Sequence, residues 1–206
     1  MITVKSAPLG ELGANFYMVT DDTTNEMFVV DPGASGHLAL QLAEGIGANL
    51  KYIIITHAHV DHIGALDELK EKFNAQVVIH KYDAAALNNS QTNLCTLLGA
   101  SSPSTRADVQ VEDGDTLPFG DGNIKFIHTP GHTVGSMCIL CNDMLFSGDT
   151  LFECSVGRTD FPGGSFNDLR CSIQNKLYTL PKETKVFPGH GNNTTIEYEK
   201  NNNPFV

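Results

Sequence analysis

The sequence predicts an α/β fold, and three observations carry that expectation. Apolar runs of strand length alternate with longer amphipathic stretches of helix length. Histidine or aspartate, usually beside glycine, stands just past the end of several strand-like runs, where α/β proteins gather their ligands. The second half of the chain then repeats the plan of the first. Alternation alone supports α/β and no particular layering.

The elements follow in order. Short strands are expected at residues 3–6, 15–20 and 27–31, separated by turns at Leu9-Gly10 and Asp21-Asp22. Asp31-Pro32-Gly33 closes the third strand, and residues 37–46 have the pattern of a helix. The run 51–56 reads as a buried strand, 63–73 as a helix, 76–79 as a strand and 81–88 as a helix. Residues 89–108 are polar, contain Gly99 and Pro103, and form an excursion of a length uncommon inside a compact domain. A lid and a plain surface connection are equally good readings of it. Strands around 109–111, 124–128, 136–140 and 144–146, a helix at 166–179 and a strand at 185–187 complete the second half. The chain of 206 residues is read as a single domain of two βα halves, about 1–108 and 109–206, with ample length for a core.

Chemistry concentrates after the strand at 51–56. His57-Ala58-His59-Val60-Asp61-His62 places four metal-ligating side chains within six residues, in a chain with eight histidines. Two apart in extended chain, His57 and His59 project to one side and can grip the same ion. Asp61 and His62 lie past the turn and can reach a second point. Three further turns supply matching donors: His132 in Thr129-Pro130-Gly131-His132-Thr133, Asp149 in Ser147-Gly148-Asp149-Thr150, and His190 in Pro188-Gly189-His190-Gly191. Imidazole and carboxylate suit zinc, with iron or manganese as alternatives, and nothing calls for a thiolate. A histidine-rich loop of no consequence would not bring partners in such similar settings.

These four turns, in this order and over nearly the whole chain, resemble the metallo-β-lactamase-fold hydrolases. Residues 157–164 (Gly-Arg-Thr-Asp-Phe-Pro-Gly-Gly) and the closing Thr194-Thr195-Ile196-Glu197 with Asn203-Pro204-Phe205 are similar to the small, single-domain glyoxalase-II-like (hydroxyacylglutathione hydrolase-like) branch. The resemblance implies a four-layer αββα sandwich of two mixed sheets flanked by helices. It implies two divalent metal ions, one held by His57, His59 and His132, the other by Asp61, His62 and His190, with Asp149 between them. The reaction implied is attack of a metal-bound hydroxide on a thioester such as S-D-lactoylglutathione. Asp61 is expected to orient the nucleophile and handle its proton, against the plainer role of ligand only. Zinc β-lactamases commonly carry cysteine where this chain has Asp149, which points toward the glyoxalase type. Full-length glyoxalase II enzymes add a C-terminal helical extension that helps bind glutathione, whereas this chain stops sixteen residues after His190, so broad thioester specificity is expected. Arg158 could bind a substrate carboxylate, or form a buried structural pair with Asp160.

Two other classes compete. Persulfide dioxygenases of the same fold share the Gly-Arg-Thr-Asp-Phe stretch and use one iron, whose ligands would map to His57, His132 and Asp149. The intact turn around His190 favours the hydrolase. A non-catalytic metal-binding protein fits poorly, because no ligand of the implied set is lost.

Thirteen basic against twenty-four acidic residues give a net charge of −11, which disfavours nucleic acid or an anionic membrane as partner. A small-molecule substrate remains. No signal peptide or membrane-length apolar run is evident, so a cytoplasmic location is expected. Five cysteines, an odd number, fit a reducing compartment. Cys138-Ile139-Leu140-Cys141 imitates a redox motif, yet residues three apart on a strand face opposite sides, so two buried structural thiols are expected. Thr56, Ser147 and His128 are candidates to reach the spare nitrogen of a ligating imidazole, and Cys154 to line the site. His37 and His80 have no expected role there.

Overall fold

The computed structural model describes residues 1–33 and 36–206. Two six-stranded sheets stack face to face, each with helices on its outer side. The first contains β1 (Ile2–Leu9), β2 (Ala14–Asp21), β3 (Glu26–Val30), β4 (Asn49–Ile55), β5 (Gln76–His80) and β6 (Val109–Val111), side by side in that order. β1, β2 and β3 pair antiparallel; β3 through β6 run parallel. α1 (Gly36–Glu44), α2 (Val60–Ile63), α3 (Leu66–Phe73) and α4 (Cys95–Leu98) belong to this half.

The second sheet is built from β7 (Thr116–Phe119), β8 (Gly122–His128), β9 (Met137–Cys141), β10 (Met144–Gly148), β13 (Lys185–Pro188) and β14 (Thr194–Thr195), in the order β14-β13-β10-β9-β8-β7. β10 and β13 are parallel and the other pairs antiparallel. A small hairpin, β11 (Leu151–Phe152) with β12 (Ser155–Val156), and helices α5 (Phe166–Asn175) and α6 (Ile196–Asn202) complete it. The architecture is the four-layer αββα sandwich.

Strand alternation makes the layers. On β4, Tyr52 and Ile54 face the second sheet, while Ile53 and Ile55 face the helices. Between the sheets, Phe28, Phe119, Phe146, Phe187 and Tyr17 form an aromatic cluster, with Phe28 and Phe119 edge to face at 4.7 Å and Tyr17 and Phe146 at 5.2 Å. Outside the first sheet, α1 and α3 bury Ala39, Ala43, Leu66 and Leu69; outside the second, α5 buries Leu169 and Ile173. Cys138 packs on the outer face and Cys141 between the sheets, so the C-x-x-C spacing is a strand pattern; burial pushes both thiols up to about 11.

Several elements depart from the sequence expectation. Residues 109–111 join the first sheet beside β5, so the halves divide between Val111 and Thr116 by sheet membership. The helix expected at 63–73 is interrupted, because the Ala65 amide donates to the Pro32 carbonyl at 2.9 Å instead of continuing α2. Residues 81–88 form turns ending in a single 3₁₀ turn at Ala86–Asn88. The helix at 166–179 ends at Asn175 and tightens into a 3₁₀ turn, Leu177–Thr179. The short strands β7, β11, β12 and β14 had no apolar run long enough to announce them. No helix among the described residues is long and apolar enough to cross a membrane.

Phe146 is fully buried and touches three aromatic partners from both sheets. Phe146→Ala is expected to lower stability by about 3–5 kcal/mol through lost burial and the cavity left behind. Denaturant unfolding at unchanged slope checks this.

Candidate metal centre

Parallel pairing places strand ends side by side. β3 and β4 end together, as do β10 and β13, and the turns after all four meet at one edge of the sandwich. The Met137 amide donates to the Thr56 carbonyl at 3.0 Å and ties the two sheets there. On the other flank, Asn15 Nδ2 donates to the carbonyls of Pro188 and Gly191 at 3.0 Å, and the Tyr17 hydroxyl donates to Pro188 at 2.6 Å, fixing the turn that carries His190. Gly189 is required: a Cβ there would run into the Asp149 carboxylate and lie 2.9 Å from the His62 ring.

All seven expected donors come together. His132 Nε2 lies 3.1 Å from His57 Nε2 and 2.9 Å from His59 Nδ1. Asp61 Oδ2 lies 3.2 Å from His190 Nε2 and 3.7 Å from His62 Nε2. Asp149 stands between the groups, with Oδ1 at 3.5 Å from His62 Nε2 and Oδ2 at 3.6 Å from His132 Nε2 and 3.8 Å from His190 Nε2. The groups His57–His59–His132 and Asp61–His62–His190 each have donor spacing that could hold an ion.

Proton placement shows that a cation fits. Thr56 Oγ1 donates to Asp31 Oδ2 at 2.6 Å and so accepts from His57 Nδ1 at 3.0 Å. His132 Nδ1 donates to the Arg158 carbonyl at 2.7 Å, and His62 Nδ1 to Asp31 Oδ2 at 2.9 Å. The Nε2 atoms of His57 and His132 therefore face each other as lone pairs. His62 Nε2 and Asp149 Oδ1 are buried and have no hydrogen-bond partner among the described residues. Such atoms are costly unless something satisfies them, and divalent ions, one in each donor group, would satisfy all four.

Electrostatics agree. Burial would depress His62, but the Asp149, Asp31 and Asp61 carboxylates outweigh it and hold its pKa up to about 10. The fixed charge there demands a positive partner, proton or metal. Burial, with its positive neighbours, depresses His59 to about 3 and holds His57 well below the usual imidazole range, so both rings are neutral donors. Burial would raise Asp61, yet His62 and His190 override it and keep the carboxyl ionised.

Two carboxylates that sequence reasoning passed over organise this centre. Asp31, 1% exposed, takes the Thr56 amide at 2.7 Å as well as the Thr56 hydroxyl and His62. Its position at a strand end before Pro-Gly was the available signal. Asp83, buried, accepts from the Ala58 amide at 3.2 Å, the Thr133 hydroxyl at 2.8 Å and the Gly135 amide at 2.9 Å. It thereby clamps the turn of His57 and His59 to the turn of His132. No local motif marked it. Among the other candidates, Thr56 reaches His57, while Ser147 donates to the Leu151 carbonyl and touches no ligand. His128 stacks on His80 at 4.0 Å, away from the centre, and the Cys154 thiol contacts Tyr198. Arg158 orients His132 through its carbonyl; its side chain pairs with Asp160 at 2.7 Å in an exposed fork, not a buried one.

Residues 9–190 match the Metallo-beta-lactamase superfamily. The chain belongs to that superfamily. It is 37% identical over 202 residues to the probable metallo-hydrolase YqgX of Bacillus subtilis, covering 97% of this chain and 95% of that protein. It is 31% identical over 211 residues to hydroxyacylglutathione hydrolase GloC of Haemophilus influenzae, covering 100% and 98%. Among solved structures, the BLEG-1 B3 metallo-beta-lactamase superposes with TM-score 0.94 at 35% identity, covering 98% of this chain and 99% of that one. TTHA1623 in a di-iron-bound form gives 0.87 at 33%, covering 98% and 100%, and ETHE1 from Myxococcus xanthus gives 0.83 at 31%, covering 98% and 83%. The superfamily is one of metal-binding hydrolases, and a divalent-metal centre in this chain agrees with the di-iron relative.

Asp31→Ala is expected to weaken metal binding about 10–100-fold, the usual effect of removing the partner that orients a ligating imidazole. Asp31→Asn, which keeps the shape, should lie between. Competition against a chromogenic chelator reads both.

Proposed function

We propose that the chain is a dinuclear metal-dependent hydrolase acting on thioesters. His57, His59 and His132 would hold one divalent ion, Asp61, His62 and His190 the other, and Asp149 would bridge them. The observation that carries this reading is the Asp149 carboxylate, which turns one oxygen to His62 and the other to His132 and His190. A one-ion site would use neither His190 nor Asp61, which lie 3.2 Å apart, as a ligand. Zinc is the expected ion, with iron or manganese as alternatives.

Bound divalent ions would supply an acidified water, its pKa lowered to about 7, and polarisation of a carbonyl oxygen. The chain's residues do the rest. Asp61, ionised and at the floor of an open cleft, would orient the attacking water and accept its proton. The bonds to Asp31, Thr56 and the Arg158 carbonyl fix which ring nitrogen each of His57, His62 and His132 presents. The thioester assignment leans on the similarity to GloC, and S-D-lactoylglutathione is therefore the first substrate to try. The likeness to BLEG-1 means that Asp149 alone does not set β-lactams aside. The Gly157-Arg158-Thr159-Asp160-Phe161 stretch, similar to that of persulfide dioxygenases of this fold, keeps a mono-iron persulfide dioxygenase as the second reading, with His57, His132 and Asp149 as its ligands.

Metal analysis and a substrate panel test the proposal. About two ions per chain are expected, with thiol release from glutathione and coenzyme A thioesters exceeding β-lactam opening. His190→Ala should leave about one ion and cut turnover on the order of 100-fold. A single iron with persulfide-dependent oxygen uptake would overturn the hydrolase, and so would a His190→Ala variant unchanged in both metal content and turnover.

A further inference from the structure

The cleft above the ligand cluster has a volume of about 540 Å³, within the usual range for a small-molecule site. Its floor is the cluster itself. One wall is apolar and comes from two separate segments: Leu12 from the β1–β2 hairpin, and Leu94, Leu97 and Leu98 from the excursion that carries α4. A recess of about 280 Å³ shares Leu12, Val60 and Leu98 with the cleft and continues it between hairpin and excursion, past Leu9 and Ala100. An apolar channel thus leads away from the metal centre.

Three exposed leucines gather on this wall. Leu12, Leu97 and Leu98 are 54%, 67% and 54% exposed, and among the described residues only one other leucine, Leu38, is comparably open. Single exposed leucines are ordinary, but a group lining the approach to a reactive centre marks a binding surface.

The wall is also held firmly. The Val60 amide donates to the Asn93 carbonyl at 2.9 Å, beside Asp61 and His62. The buried Asn93 side chain donates to the Leu87 carbonyl at 3.0 Å and to Ser102 Oγ at 2.9 Å, and accepts from the Cys95 amide at 3.1 Å. Further along, Asp67 accepts from the amides of Ser104 and Thr105 at 2.8 and 2.9 Å. Leu94 sits at φ +67°, a left-handed conformation that leucine adopts rarely, and this bend turns the following leucines toward the cleft.

Charge removes the main alternative. Arg158 is the one cation lining the cleft; it is forked onto Asp160 and lies 4.0 Å over the Phe161 ring. The other charged side chains of cleft and recess are carboxylates: Asp61, Asp149 and Glu11. Away from the ligand cluster, a leaving group with several carboxylates would meet no lysine or arginine among the described residues of the cleft except one already paired to Asp160.

We propose that the leucine wall takes an uncharged apolar chain attached to the scissile thioester, so that preferred substrates carry several methylenes or a ring rather than a small hydroxyacyl group on an anionic peptide thiol. This rests on the thioester reading above and names its substrate class. The chain could belong to the acyl or to the thiol side, and two substrate series separate them: acetyl through octanoyl esters of one neutral thiol, and acetyl esters of thiols from methyl to hexyl. In one series kcat/KM is expected to rise about fourfold per added methylene over the first several, as burial of each would give. Binding of non-hydrolysable dialkyl thioethers, followed by calorimetry, should tighten with the same increment. Leu97→Ser combined with Leu98→Ser should flatten both slopes, and the paired Leu→Met variant should keep them. Intact thioester hydrolysis that is flat in both series, or slopes that survive the serine pair, would overturn the leucine wall and leave the thioester reading standing. Rising thioether affinity with no thioester turned over would uphold the apolar wall and overturn the thioester reading instead.

Discussion

The buried contact between His62 and Asp31 is the constraint on which the centre depends. Both side chains are almost wholly out of water, at 0% and 1% exposure, and their atoms lie 2.9 Å apart. Asp61 and Asp149 approach the opposite nitrogen of the same ring. Burying so many carboxylates together costs several kcal/mol for each one that lacks a counter-charge. His62 supplies part of that counter-charge, because the three carboxylates around it hold its pKa up to about 10, while burial keeps His57 and His59 neutral and leaves the rest to other cations. A fold that accepts this cost is one built around cations, and the two sheets are the means of delivering the donors. The ligand-bearing turns follow β4, β8, β10 and β13, so strand register sets where the donors start.

The same constraint explains what could be read from the sequence. The strand-end turns of His57 to His62, His132, Asp149 and His190 are local signals, since residue type, spacing and flanking glycine all lie within a few positions. The layering followed from the resemblance, since alternation reached only α/β, and β4 shows why: it is apolar on both faces, with Tyr52 and Ile54 on one and Ile53 and Ile55 on the other. Asp83 was not legible, because its three bonds join residues 58, 133 and 135, and nothing near Asp83 in the chain hints at them. One contact of Arg158 was hidden for a related reason. A side chain invites a functional role, yet here the carbonyl touches the centre, and backbone atoms carry no residue-specific signature. The break after α2 and the turns at 81–88 likewise depend on distant partners, Pro32 for the one and the clamp of Asp83 for the other.

The excursion at 89–108 was ambiguous on length alone, and its contacts give it a physical character. Asn93 and Asp67 fasten it at two points, so it behaves as a fixed wall rather than a free flap. Its leucines would not stay exposed if the chain were free to collapse them onto the core. The backbone conformation of Leu94 opposes that collapse, and the bond from Val60 couples the wall directly to the turn bearing Asp61 and His62.

Floor and wall therefore answer to different demands. The floor must satisfy the coordination chemistry of its ions, which leaves little freedom in residue type, and chains as differently described as GloC, BLEG-1 and ETHE1 share this fold. The wall answers only to the substrate, through apolar area and charge. A TM-score of 0.94 records agreement in backbone path. It does not weigh whether three leucines or three lysines stand at the rim, although that exchange would reverse which substrates enter. In this superfamily, selectivity has to be sought in the segments that pack over the strand ends, and in this chain those segments are apolar.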